Sequence, residues 1–193
     1  MKKQLESLID KRSGFNVSHV IRVLFLLDEH VGRKRICETL GIGEASVKTL
    51  FKRLKEVGWI SSTKKGHKLT EEGRKIVQKI LKVMEKPVEI TMKDYGLGKR
   101  SFVTVVRKAC KKVKMGIEQR DEAIKIGGEG AITLIVKDGK LIFPGTGEVA
   151  NENLAEIIKR LFKLNDCDVV IIGFAKQKNK AEEATLMAAL SLV

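Results

Sequence analysis

Ser46, Lys48, Thr49, Lys52, Arg53 and Lys55 include pairs three or four residues apart (Ser46 and Thr49, Lys48 and Lys52, Thr49 and Arg53, Lys52 and Lys55), so on a helix they share a broad face carrying cations and hydroxyls. Lysine and arginine at this spacing meet phosphates, and Ser, Thr and Arg can also reach base edges in a major groove. Shortly after, Lys64, Lys65 and His67 make a cationic cluster with no acidic residue among them. A lone basic helix is usually just a solvated face, so the weight falls on the elements around it. In the second half, Arg120 is followed by Gly127, Gly128 and Gly130, a cation near approachable backbone that suits a small anion. Gly145-Thr146-Gly147 is a second such spot, between a strand and a helix. Neither fits a phosphate-binding loop or a dinucleotide fingerprint, and glycines serving turns beside a solvated Arg120–Glu122 pair are the plainer reading.

The elements that must position the basic face are legible. Val17, Val20, Ile21, Leu24 and Leu27 form an amphipathic stripe that Asn16 or Ser18 can cap. A short helix follows, with Ile36, Cys37 and Leu40 inward and Gly41 where a left-handed residue is favoured. The basic helix runs from about Glu44 to Val57, turns Val47, Leu50, Phe51 and Leu54 inward, and ends at Gly58. Residues 59–69 read as a hairpin whose tip carries Lys64, Lys65 and His67. Thr70 then caps a helix with the stripe Ile76, Val77, Ile80, Leu81 and Met84, a linker or dimerisation helix that Pro87 ends.

Beyond Pro87 the pattern is weaker. Val88 to Met92 alternates as a strand, and Phe102, Val105, Val106, Ala109, Cys110 and Val113 fit a helix. Ala131–Val136 and Lys140–Phe143 make a hairpin through Asp138-Gly139, a type I′ pair. Asn151–Leu164 is an expected helix, Val169–Phe174 a buried strand and Ala181–Leu192 a terminal helix. The fold class that results is α+β, with a two-layer α/β domain over residues 88–193 behind a helical domain over residues 1–87.

Composition narrows the chemistry. The chain carries a net charge of +14, with 20 Lys and Arg against 10 Asp and Glu in residues 1–87 (net +10), which leaves +4 for the rest. A basic half joined to a milder one suits a polyanion-binding module attached to something else, although a thermophile surface rich in Lys and Glu would also be basic. Apolar residues at 43% suffice for real cores, and no stretch reaches the roughly 18 apolar residues a membrane span needs. No apolar run near the N-terminus suits a signal peptide, so a cytoplasmic location and no membrane partner are expected. Cys37, Cys110 and Cys167 are far apart and lack CxxC pairing, which reads as small buried residues in a reducing compartment. All three histidines lie within the first 67 residues, so no catalytic residue, metal ligand or cofactor is expected.

Two segments also resemble a known family. GWISSTKKGHKLTEEGRKI is similar to the wing and following helix of prokaryotic winged-helix transcription regulators, and ICETLGIGEASVKTLFKRLKEVGWI resembles their helix-turn-helix. The resemblance covers residues 15–85 or so. As a whole the chain resembles uncharacterised archaeal proteins that join such a module to a small C-terminal α/β domain. The resemblance implies a winged helix-turn-helix domain, double-stranded DNA as partner and a role in transcription regulation. Ser46, Lys48, Thr49, Lys52, Arg53, Lys64, Lys65 and His67 are then the expected DNA-binding residues. Arg120, Gly127, Gly128 and Gly130 are the expected site for a small anionic effector, and a homodimer is the expected assembly. Two rivals stay open, an RNA- or tRNA-binding protein and a winged helix used for protein–protein contact.

Overall fold

The computed structural model of the chain describes residues 1–10, 12–27, 30–64, 66–91 and 100–193. The chain is mixed α+β and divides into two compact units, Met1–Leu81 and Lys82–Val193.

The first unit is helical with one hairpin. After α1 (Lys2–Glu6), α2 (Val17–Leu26) starts on Asn16, whose side chain accepts from the N–H groups of Ser18 and His19. The His19 ring returns a bond to the Asn16 N–H at 3.1 Å, which satisfies donors a helix start leaves open. α3 (Arg33–Leu40) ends on left-handed Gly41, and α4 (Glu44–Glu56) follows after a short turn. Ile36 and Leu40 of α3 and Val47, Leu50, Phe51 and Leu54 of α4 are buried, each contributing about 1.5–3 kcal/mol. That inward stripe obliges the remaining α4 positions to face outward.

Strands β1 (Ile60–Thr63) and β2 (Gly66–Leu69) pair antiparallel, from Ile60↔Leu69 to Thr63↔Gly66. Val31 pairs with His67 on the other edge of β2. His67 therefore sits within a strand, opposite Ser62, and not at the hairpin tip where the sequence places it. α5 (Glu71–Leu81) is capped by Thr70, whose Oγ1 accepts from the Gly73 N–H at 3.1 Å. Gly73 is required by packing: a Cβ there would collide with the Trp59 carbonyl oxygen. α5 stops at Leu81, short of Pro87, because the chain beyond it pairs elsewhere. Glu85 N–H donates to Val105 O, and Arg107 N–H donates to Val83 O, both at 2.8 Å. Met84, counted in the helical stripe, is instead fully buried beside Val106 in the second unit.

The second unit is a five-stranded sheet in the order β3-β4-β7-β5-β6, every neighbouring pair antiparallel. Its strands are β3 (Val88–Ile90), β4 (Arg100–Val106), β5 (Gly130–Lys137), β6 (Lys140–Ile142) and β7 (Val169–Ala175). Its helices are α6 (Ile117–Lys125), α7 (Glu152–Leu161) and α8 (Lys178–Leu190). Because β4 and β5 both run opposite to β7, they are parallel to each other with α6 between them in sequence, and β7 enters the gap. The Asp138-Gly139 turn has φ of 50° and 70°, the two positive values a type I′ hairpin requires.

Several expectations change here. The stretch read as a helix over Phe102–Val113 is β4 followed by a 3-10 turn at Cys110–Lys112, since Phe-Val-Thr-Val-Val favours a strand and β4 is paired on both sides. α6 was not expected at all. The unit also has three layers, not two. Val103, Val105, Leu134, Val136, Val170 and Ile172 pack with Leu154 and Ile158 of α7. On the opposite face, Phe102 packs with Ala181 of α8, and Gly173 N–H donates to Thr185 Oγ1 of α8 at 3.1 Å. Central strands buried on both faces lose the alternation that would have announced a single covered face. Finally, Cys110 and Cys167 form a disulfide, their Cα atoms 4.8 Å apart. The end of β4 and the start of β7 lie side by side, and Cys110 N–H donates to Cys167 O at 3.1 Å. Cysteine usage therefore no longer argues for a reducing compartment; Cys37 alone is a free thiol.

Candidate nucleic-acid interface

α4 and the hairpin enclose an open groove of about 700 Å³. Lys48, Thr49, Lys52 and Lys55 line it from α4, Ser62 and His67 from the hairpin, and Arg33 from the start of α3. The inward packing of Leu50 and Leu54 aims the lysines here, and the Val31↔His67 bridge holds the hairpin beside α3. Lys52 has an exposed 3.8 Å contact with Glu56, a pairing worth little in water. Arg33, Lys48 and Lys55 form no ion pair among the described residues.

His67 forms part of the floor. Its ring lies 4.3 Å from the Phe51 ring, and Nδ1 is 2.9 Å from Ser62 Oγ. Burial, then the positive charges of Lys55 and Arg33, push its pKa below the ordinary imidazole value, so the neutral ring is favoured at pH 7. His67 thus acts as a hydrogen-bonding and packing group there, not as a fixed cation.

The expected residues divide sharply. Lys48, Thr49, Lys52 and His67 come together in the groove. Lys64 is exposed in the hairpin turn, and Lys65 lies outside the described residues. Ser46 is half-buried against Gly14, where a Cβ would collide with its hydroxyl. Thr49 Oγ1 donates to Ala45 O at 3.0 Å, so its hydroxyl proton is taken by its own helix. Arg53 turns away: Nη1 donates to Leu8 O at 2.6 Å and Ser13 Oγ at 2.7 Å, Nη2 pairs with Asp10, and the guanidinium lies 5.4 Å from the Phe15 ring centre. The Asp10 carboxyl is held below its ordinary pKa chiefly by the Arg12 N–H, against desolvation, with Arg53 and Ser13 lowering it further. Arg53 therefore pins the N-terminal segment, a correction to its expected role in base readout. Sequence reasoning missed Arg33, whose helical position gave it no visible link to the groove.

The expected anion site in the second unit does not assemble. Arg120 lies on α6, and its Nη2 meets Asp121 Oδ1 at 3.1 Å. Gly127 borders a different recess, near Lys176 and Lys180. Gly128 and Gly130 serve packing, for a Cβ would lie 2.7 Å from Ala184 Cβ in the first case and 2.9 Å from the Phe174 ring in the second. Among the described residues, no three His, Cys, Asp or Glu side chains converge as a metal site. None of the described helices is long and apolar enough to cross a membrane.

Comparison with known proteins adds relatives. Residues 16–75 match the family described as PH0730-like, N-terminal domain, and residues 97–192 match a domain of unknown function, DUF4443. Among solved structures, hypothetical protein PH0730 from Pyrococcus horikoshii OT3 is 35% identical, covers 92% of each chain and superposes with a TM-score of 0.80. No curated protein matches the chain.

Proposed function

The chain belongs to the PH0730-like family, and from that premise we propose that it binds double-stranded DNA as a transcriptional regulator. In this reading α2, α3, α4 and the β1–β2 hairpin form a winged helix, α3 and α4 its helix-turn-helix, and α4 enters the major groove. The observation that carries the reading is the groove itself: Arg33, Lys48 and Lys55 are cations without ion pairs among the described residues, gathered beside Lys52 and a hairpin. Such cations contact phosphates, and Lys64 would meet the backbone at the hairpin tip. Two chains working as a homodimer would set their α4 helices about 34 Å apart on two half-sites. The second unit serves effector sensing or oligomerisation, and neither unit is assigned a catalytic step, a cofactor or a membrane contact. The working place that follows for such a protein is the cytoplasm.

A salt titration of duplex binding is the test. Affinity falls steeply with salt, and the Lys48→Ala, Lys52→Ala, Lys55→Ala triple variant flattens the slope of log affinity against log salt by about three units, close to one per lysine. Affinity that does not change from low to moderate salt overturns the reading. Structured RNA bound more tightly than duplex DNA at the same salt moves the groove to the RNA alternative, and binding of neither leaves it as a protein-contact surface.

A further inference from the structure

We propose that a cleft at the N-terminus of α6 is a binding site for a small monocarboxylate with a compact apolar body. The site lies wholly in the second unit and stands independently of the nucleic-acid reading. The cleft, about 230 Å³, opens between the start of α6, the early residues of β5 and the chain leaving β6. It exists because β6 pairs with β5 only as far as Ile135↔Ile142, so β6 leaves Ala131 to Thr133 uncovered.

Three features at one end suit a carboxylate. Gly116 occupies the cap position of α6, lines the cleft with Ile117, and brings no side chain to satisfy the first-turn N–H groups. Arg120 lines the same wall, with only the half-exposed Asp121 as an ion partner among the described residues. Thr133 is 4% exposed, lines the cleft beside Gly116, and its Oγ1 meets no hydrogen-bond partner among the described residues. A buried hydroxyl left unsatisfied costs free energy that an incoming polar group can recover.

The other end is apolar: Met115 and Ile117 are 56% and 47% exposed, and Phe143 and Pro144 face them across the cleft. Met115 is unbranched and flexible, a wall able to adapt to the apolar body of a ligand. Charge sets the head group. Arg120 and the helix start supply one full and one partial positive charge, and Glu118 and Asp121 on the same helix repel further negative charge, so a monoanion is favoured over a dianion. Size sets the body: at roughly 30 Å³ per water-sized group the cleft takes about eight non-hydrogen atoms.

The experiment uses the full chain with 13C-labelled methionine methyls and 4-methylpentanoate as probe. The Met115 methyl resonance shifts saturably with a dissociation constant of about a millimolar or below, a fair value for so small a ligand. Arg120→Gln weakens the probe at least tenfold. Thr133→Val weakens it several-fold in a chain that stays folded, because the hydroxyl it removes has no partner to lose. 4-Methylpentanamide, equal in shape but uncharged, fails to compete. The proposal is overturned by an unshifted Met115 resonance at tens of millimolar probe, by unchanged affinity in Arg120→Gln, or by amide binding as well as acid. Inorganic phosphate competing as well as the carboxylate also overturns it, since the site would then be a bare anion hole.

Discussion

In the α4–hairpin groove, Arg33, Lys48 and Lys55 face solvent without ion pairs among the described residues, while several cations of the second unit are closed onto carboxylates. There Arg107 is held by Glu85 and by Asp168 at 2.6 Å, Lys178 meets Glu89 at 2.7 Å, and Lys180 meets the buried Glu183 at 2.9 Å. The Asp168 carboxylate is 1% exposed and also accepts the N–H groups of Lys108 and Asn165. Arg107 titrates above its ordinary value: burial works against its charge, and the bonds to Glu85 and Asp168 outweigh that cost. Arg53 shows the second behaviour inside the first unit. Formal charge thus does not show which cations are left open to solvent; whether a cation already has an internal acceptor does.

The largest effect expected from this contrast is on stability. Asp168→Ala leaves Arg107 short of one partner and orphans two backbone N–H groups, at a cost of about 3–5 kcal/mol. Urea unfolding followed by far-UV circular dichroism measures it. Trp59, the single tryptophan and part of the first unit, should report an unmoved fluorescence transition. A loss below about 1 kcal/mol would remove the structural side of the comparison.

Arg53→Ala comes next, costing about 1–3 kcal/mol through its lost bonds to Leu8 O and Ser13, read this time on the Trp59 transition. Lys48→Ala should stay within about 0.5 kcal/mol of the parent. Under the proposed function, Arg53→Ala leaves the preference between a selected site and random duplex unchanged. A relaxed preference would place Arg53 among the base readers after all.

The smallest effect is the proton on His67. Its folded pKa is lowered, so its contribution to stability is complete above the ordinary value of 6.5 and is lost as pH falls below that toward the folded value. Phosphates drawn into the groove oppose the repulsion from Lys55 and Arg33, so duplex DNA should raise the His67 pKa and bind more tightly as pH drops. Ring-proton NMR titration with and without duplex follows both; a pKa indifferent to DNA separates His67 from the contact surface.

Much of the first unit was legible because its signals are local. The Asn16 cap, the Gly41 and Gly58 stops and the α4 stripe each depend on residues within one or two turns. The Asp138-Gly139 hairpin was legible for the same reason. β4 was misread because a strand covered on both faces has no alternation, and Phe102, Val105, Val106 and Ala109 happen to fit helical spacing as well. α6 escaped notice because it buries only Gln119 and Ala123. At the candidate site the lysine face was readable, but the direction of Arg53 depends on Asp10 and Leu8, and the disulfide on two strands meeting. No sequence spacing carries those encounters.

The position of β7 also orders events in time. It is the last strand in the chain and the middle strand of the sheet, so β4 and β5 have no shared neighbour until residues 169–175 exist. A ribosome-bound chain ending before Val169 holds a complete first unit and a second unit whose central edges are open. The first unit can fold as soon as its own residues emerge, whereas the second must wait for β7 and close long-range pairings at once. The disulfide between Cys110 and Cys167 lies where the end of β4 meets the start of β7, so the pairing of β7 is what brings its two cysteines together.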